Sequence, residues 1–465
     1  MKGRSALVLG LLAALSLASP ACGGGSVPIA SPSAASSPSA AATPSPAIST
    51  NWTEYHGDAA RTGVGPATPP FGRSQRAWDV PLDGDVYASP LVVAGHVLVA
   101  TENNTVYSLD LFTGALVWKA HLGSPVAAST LPCGNITPVT GITGTPAIDV
   151  GADHLYVVAF LGGRHVLFTL SLVDGTVVTQ RVVDPPGSNP AVQQERGALA
   201  LASAYVYVPL GGLYGDCGNY HGYLEAVPVG VGVGGSVLSY QVPSSREAGI
   251  WSPAGETVAS SGSVYVVTGN GASRSAFDYS NSVVKLSPDL HVQSYFAPAN
   301  WSSLNASDTD LGSVGATLLP SLGVVVAIGK QGVAYLLKAD QLGGIGGQIA
   351  LLPVCTGAWG GTAWAGSTVF VPCADGLLAL SVTATTIAVK WKAAHIVLAS
   401  PIVAAGVLWA IDTNSAKVYA LNPSSGAVLY TASLGAARHF STLAATEGFV
   451  VAPAGTHVVA IATGG

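Results

Sequence analysis

This sequence predicts an all-β chain closed into a ring of about eight four-stranded units, a β-propeller. Three observations predict it. The composition is extreme: 57 Gly, 49% hydrophobic residues and only 9% charged ones in 465 residues, against about 25% charged in ordinary globular domains. That excludes disorder and suits many short buried strands joined by tight turns. One strand–turn–strand recipe recurs along the chain. The last copy of the recipe has three strands, and a spare strand lies near the start.

The elements follow in chain order. Residues 1–22 read as an export signal: Lys2 and Arg4 form a basic start, and Ala6 to Ala18 is an unbroken apolar and small stretch, short for a membrane span. Within SPACGGGS, Cys22 stands as in a bacterial lipoprotein cleavage site, so a lipid anchor on Cys22 is expected. Residues 23–50 are a Ser/Ala/Pro-rich linker with nothing to build a core. Residues 51–465 are the propeller.

From Tyr87 the units open on a small-Ser/Thr-Pro step and a short strand: ASPLVVAG (Ala88 to Gly95), GTPAIDVG (Gly144 to Gly151), ASPIVAAG (Ala399 to Gly406). A second apolar strand follows (HVLVAT, HLYVVAF, VLWAID), then a third running into a turn (VYSLDLFTG, VYALNPSSG). A fourth often carries an aromatic, as at Trp118 and Trp391. β-Branched residues bounded by Gly, Pro, Asn or Asp make each of these a strand. Further units begin near Glu195, Ile250, Leu311 and Ala358. Arg76 to Leu82, with Trp78 at the aromatic position, is the expected fourth strand of the last unit. A lone unit cannot bury both faces, and ring closure leaves none uncovered. Trp118 and Trp391 are therefore expected to pack between blades.

Net charge is −6 and the 18 Lys and Arg are scattered, which argues against a nucleic-acid partner. Setting Cys22 aside, Cys133, Cys217, Cys355 and Cys373 allow three disulfide pairings in an oxidising compartment. No G-x-S-x-G elbow, H-E-x-x-H helix or phosphate loop occurs.

The repeats resemble those of the pyrroloquinoline quinone (PQQ) propeller superfamily, quinoprotein alcohol dehydrogenase-like, from Trp52 to the C-terminus. NWTEYHGDAARTGVGP resembles the entry segment of its secreted members. The superfamily holds both calcium-dependent dehydrogenases and non-catalytic scaffolds, so fold alone does not assign function. In propeller geometry the loops joining the second and third strands, and those joining successive blades, open on one face. Asp216, Cys217, Asn219, His221, Asn270, Lys330 and Cys373 fall in the first kind; Cys133, Asp308, Asp310 and Cys355 fall in the second. Cys355–Cys373 is the preferred bridge, since both loops belong to one blade, and Cys133–Cys217 follows.

The resemblance implies site roles on that face. Trp251 matches the Trp on which a quinone stacks, and Lys330 a residue touching the quinone oxygens. Asn270 and Glu195 are candidate calcium ligands, and Asp308 or Asp310 the candidate catalytic base. Yet the adjacent Cys-Cys pair of those dehydrogenases is missing, and so is any C-x-x-C-H haem motif. The expectation is an extracytoplasmic, monomeric, non-catalytic module with a protein or glycan ligand at the loop face and no cofactor. The alternative is a dehydrogenase using PQQ and calcium on an alcohol or sugar.

Overall fold

The computed structural model describes residues 51–464 apart from 68, 231–234 and 447. The export segment, Cys22 and the linker up to residue 50 lie outside the described residues.

Among the described residues, eight sheets of four antiparallel strands, two of them extended by a fifth, form the blades, and a separate two-stranded pair joins Val126–Ala127 to Val139–Thr140. Blade 1 comprises Leu91–Val93, His96–Ala100, Thr105–Asp110 and Leu116–His121. Blade 2 comprises Ala147–Asp149, His154–Leu161, Arg164–Ser171 and Val177–Val182. Blade 3 opens at Ala200–Ala202, blade 4 at Thr257–Val258, blade 5 at Thr317–Leu319, blade 6 at Ala363–Ala365 and blade 7 at Ile402–Ala404. Blade 8 takes Ala444–Thr446, Phe449–Pro453 and His457–Ala462 from the C-terminus, and Gln75–Pro81 as its outer strand. The closing strand is thus the one expected, with Trp78 paired to Ala460. Blades 3 and 4 each gain one short extra strand, Gln193–Gln194 and Gly344–Ile345.

The repeated turn and the repeated Trp prove to be two halves of one contact between neighbouring blades. The indole N–H of Trp78 donates to Leu111 O (2.8 Å), that of Trp118 to Leu172 O (2.9 Å), and that of Trp391 to Pro423 O (3.0 Å). Each ring thereby covers the glycine turn of the next blade. A Cβ at Gly114, Gly175 or Gly426 would come within 2.9, 2.5 or 2.6 Å of Trp78, Trp118 or Trp391 respectively. All three glycines also have positive φ, so glycine is required twice over.

Residues 52–66 cap the axis on the face of the turns between first and second strands. Trp52 exchanges backbone hydrogen bonds with Val92 of blade 1, and Thr53 O accepts from Ile148 N of blade 2. Ala59 O accepts from Val258 N of blade 4, Thr62 O from Trp364 N of blade 6, and Gly63 O from Val403 N of blade 7. His56 is fully buried and reaches Thr362 O (2.8 Å) and Thr442 Oγ1 (3.0 Å). Arg61, equally enclosed, pairs with Glu54 (3.0 Å) and lies 3.9 Å from Glu256.

Candidate functional site

On the opposite face the loops converge over the axis around a cavity of about 620 Å³. Six residues singled out from the sequence line it together: Asp216, Trp251, Asn270, Asp308, Asp310 and Lys330. Each arrives by a different route. Trp251 sits in the passage from blade 3 to blade 4, where glycines make room: a Cβ at Gly211 would come within 2.8 Å of it. Asn270 follows the strand Val264–Val267, and Lys330 follows Val324–Ala327. Asp308 and Asp310 come just after the helix Trp301–Ala306, between blades 4 and 5. That stretch is pinned by two buried asparagines. Asn305 Oδ1 accepts from Gly271 N (3.0 Å) and Asn281 Nδ2 (2.8 Å), while Asn281 Oδ1 accepts from Leu311 N (2.6 Å).

The charges in the set are already engaged. Lys330 Nζ lies 2.8 Å from Asp308 Oδ1 and 2.5 Å from Asp310 Oδ2, and 5.7 Å from the centre of the Trp251 ring. The second oxygen of Asp310 accepts the Asn270 backbone N–H. Burial pushes the Asp310 carboxyl up from the ordinary carboxylate range, against the pull of Lys330. Burial works against the Lys330 charge too, but Asp310 and Asp308 outweigh it and hold the ammonium above the usual lysine value.

Glu195 stands outside this set. Its carboxylate accepts the Gly144 N–H (3.2 Å) and does not line the cavity. A calcium ion needs six to eight oxygen ligands. Here both Asp310 oxygens are engaged and Glu195 is turned elsewhere, so these residues do not fit a calcium site. The stacking platform for a planar ring, Trp251, is present.

The cavity wall contains residues that the sequence reading did not select. Arg196, the neighbour of Glu195, lines it, as do His439 and Phe440 from the passage into blade 8. The Arg196 guanidinium carbon is 5.1 Å from the Phe440 ring centre and 5.7 Å from that of Tyr87. Phe440 in turn lies 6.2 Å from Trp251. Burial, with Arg196 and Arg438 nearby, lowers His439 to about 4, so its ring is neutral at pH 7. No local signal in ERGA separates Arg196 from its charged neighbour Glu195.

All four remaining cysteines are paired as expected, Cys133 with Cys217 and Cys355 with Cys373. The first bridge ties the passage between blades 1 and 2 to a loop of blade 3, beside the cavity residue Gly215. The second braces the entry of blade 6. His221 offers no metal site with its neighbours: Cys217 is bridged, and Asp216 accepts the Tyr220 hydroxyl (2.5 Å).

Compared by sequence, residues 72–299 match the family described as outer membrane protein assembly factor BamB. No curated protein matches the sequence. Among solved structures, the fold is similar to quinohemoprotein alcohol dehydrogenase ADHIIG from Pseudomonas putida HK5. The TM-score is 0.72 at 13% identity, covering 90% of this chain and 80% of that one. It is similar to the quinohemoprotein alcohol dehydrogenase of Comamonas testosteroni, with TM-score 0.70 and 14% identity over 90% and 81% of the two chains. BamB from Moraxella catarrhalis gives TM-score 0.55 and 13% identity over 84% of this chain and 98% of that one. At such identities the likeness is one of fold.

Proposed function

Since the chain belongs to the PQQ-like β-propeller superfamily, quinoprotein alcohol dehydrogenase-like, we propose that it uses this scaffold as a non-catalytic binding module outside the cytoplasm. One observation carries the reading. Lys330 is held between Asp308 and Asp310, both Asp310 oxygens are taken, and Glu195 gives Oε2 to Gly144 N away from the cavity, so the acidic groups that a calcium–quinone centre would require are not gathered there. What is left is an open cavity on the loop face, lined in part by Trp251 and large enough for a small ligand or the tip of a larger one. The ligand is a protein or a glycan, and the chain acts as a monomer. Two disulfides support an oxidising compartment. A lipid on Cys22, with residues 23–50 as tether, would hold the propeller at the membrane surface.

The test is a calorimetric titration of PQQ into the folded chain, with and without calcium. The expected result is no calcium-dependent heat, together with a ligand from glycan and peptide screens whose binding is lost in Trp251→Ala. Tight calcium-dependent PQQ binding, lost in Trp251→Ala and Lys330→Ala, would overturn this reading and make the chain a quinoprotein dehydrogenase acting on an alcohol or sugar.

A further inference from the structure

Arg196 is the anomaly of the cavity. It is 6% exposed, yet no carboxylate lies within ion-pair distance of it among the described residues. Its one hydrogen bond among them is from Nη2 to His439 O, at 3.4 Å, and its buried Nε–H has no partner. The nearby acids reach it only through space: Glu102 and Glu195 each give one oxygen to a backbone N–H (Gly141, 2.6 Å; Gly144, 3.2 Å) and keep the other buried without a hydrogen bond among the described residues, while Asp85 pairs with Arg438 (2.5 Å). Buried guanidinium groups are ordinarily met by carboxylates in paired hydrogen bonds, because an unmatched buried charge is costly. Phe440 and Tyr87 hold this one by their ring faces, which fixes its plane without using its N–H donors.

We infer that Arg196 is the anchor for a carboxylate borne by the ligand of this cavity, and that the ligand is a uronic-acid sugar. The inference rests on the binding reading above. The rest of the cavity selects the sugar over a peptide C-terminus. Trp251 and Phe440 offer apolar faces to a ring. Asp216 and Asp308, each with one carboxylate oxygen taken by Tyr220 or Lys330, have a second oxygen that can accept from sugar hydroxyls but meets no donors on an apolar side chain. A cavity of about 620 Å³ suits one or two sugar rings, whereas an extended peptide seeks a groove or strand edge.

The first arm of the test needs no variant. The purified full chain is titrated with D-galacturonate and D-glucuronate oligosaccharides, their neutral methyl esters, and a short peptide with a free C-terminus, following Trp fluorescence and heat. The free acids are expected to bind at least about tenfold more tightly than the esters. Equal affinity for acid and ester would overturn the anchor while leaving a glycan-binding module. Binding of the peptide alone would overturn the sugar. No binding of any uronate by a folded chain would overturn the whole inference. In Arg196→Gln the acid and ester affinities are expected to converge at the ester value. A Tm loss with the preference intact would make Arg196 structural.

Discussion

At the residue scale, the balance around Lys330 decides what the cavity can do. Its ammonium touches two carboxylates, and one of them, Asp310, is buried. Removing the lysine would strand Asp310 in a low-dielectric site, an error that commonly costs about 3–5 kcal/mol. Lys330 is itself partly open to solvent, so Lys330→Ala is expected to destabilise by roughly 2–3 kcal/mol in chemical denaturation. Lys330→Met combined with Asp310→Asn should recover most of the loss, since the stranded charge goes with its partner. If the double variant is no better than the single one, the triad is not an electrostatic unit. Trp251, Asn270, Asp308, Asp310 and Lys330 could all be selected from loop position and resemblance. Arg196 could not, because nothing in ERGA says which of two adjacent charged residues faces the cavity. Neighbouring residues of an extended segment point to opposite sides, and here Glu195 turns to Gly144 while Arg196 lines the site.

At the element scale, the hairpin turn and the indole that covers it from the next blade are the repeated device. The turn exposes a carbonyl that accepts the indole N–H, and its glycine lets the ring lie flat against the backbone. Either half of the contact is expected to fail alone. Trp118→Ala should cost about 3 kcal/mol through lost burial and a cavity. Gly175→Ala should cost a comparable amount by forcing a methyl group onto Trp118 at a residue with positive φ. Combining the two should cost clearly less than their sum, because both break one contact. Full additivity in a denaturation cycle would show that they act separately. The Thr-Gly turn and the Trp were legible as repeat positions. That one blade's Trp belongs to the following blade's turn was not, because the contacts join residues 35 to 57 apart (Trp391 and Gly426, Trp118 and Gly175).

At the scale of the whole molecule, the ring is shut twice: by Gln75–Pro81 completing blade 8, and by residues 52–66 capping the axis. The cap brings charged groups into the interior. Glu256 is fully buried, neither of its carboxylate oxygens has a hydrogen bond among the described residues, and burial, outweighing the pull of Arg61, pushes its pKa up to about 8. Glu54 and Glu102 are raised to about 7 by the same cause. A carboxyl whose folded pKa exceeds its unfolded value favours folding most below the unfolded value. That contribution is lost as pH rises through the folded one. For Glu256 the window runs from about 4.5 to about 8. Glu256→Gln is therefore expected to gain Tm relative to the parent chain on going from pH 5 to pH 8. A Tm difference that stays constant over this range would mean that Glu256 does not titrate there.

The all-β class, the roughly eightfold recipe, the closing strand and the shared loop face could be read directly from the chain, and the cysteine partners were preferred from that loop placement. They depend on alternation, turn chemistry and order, which are properties of short segments. The charge balance of Lys330, the divergence of Glu195 and Arg196, the indole-on-turn contacts and the capped axis required the fold. Each is a meeting of residues far apart in sequence, and its energy depends on distance and burial, which appear only once the ring has closed.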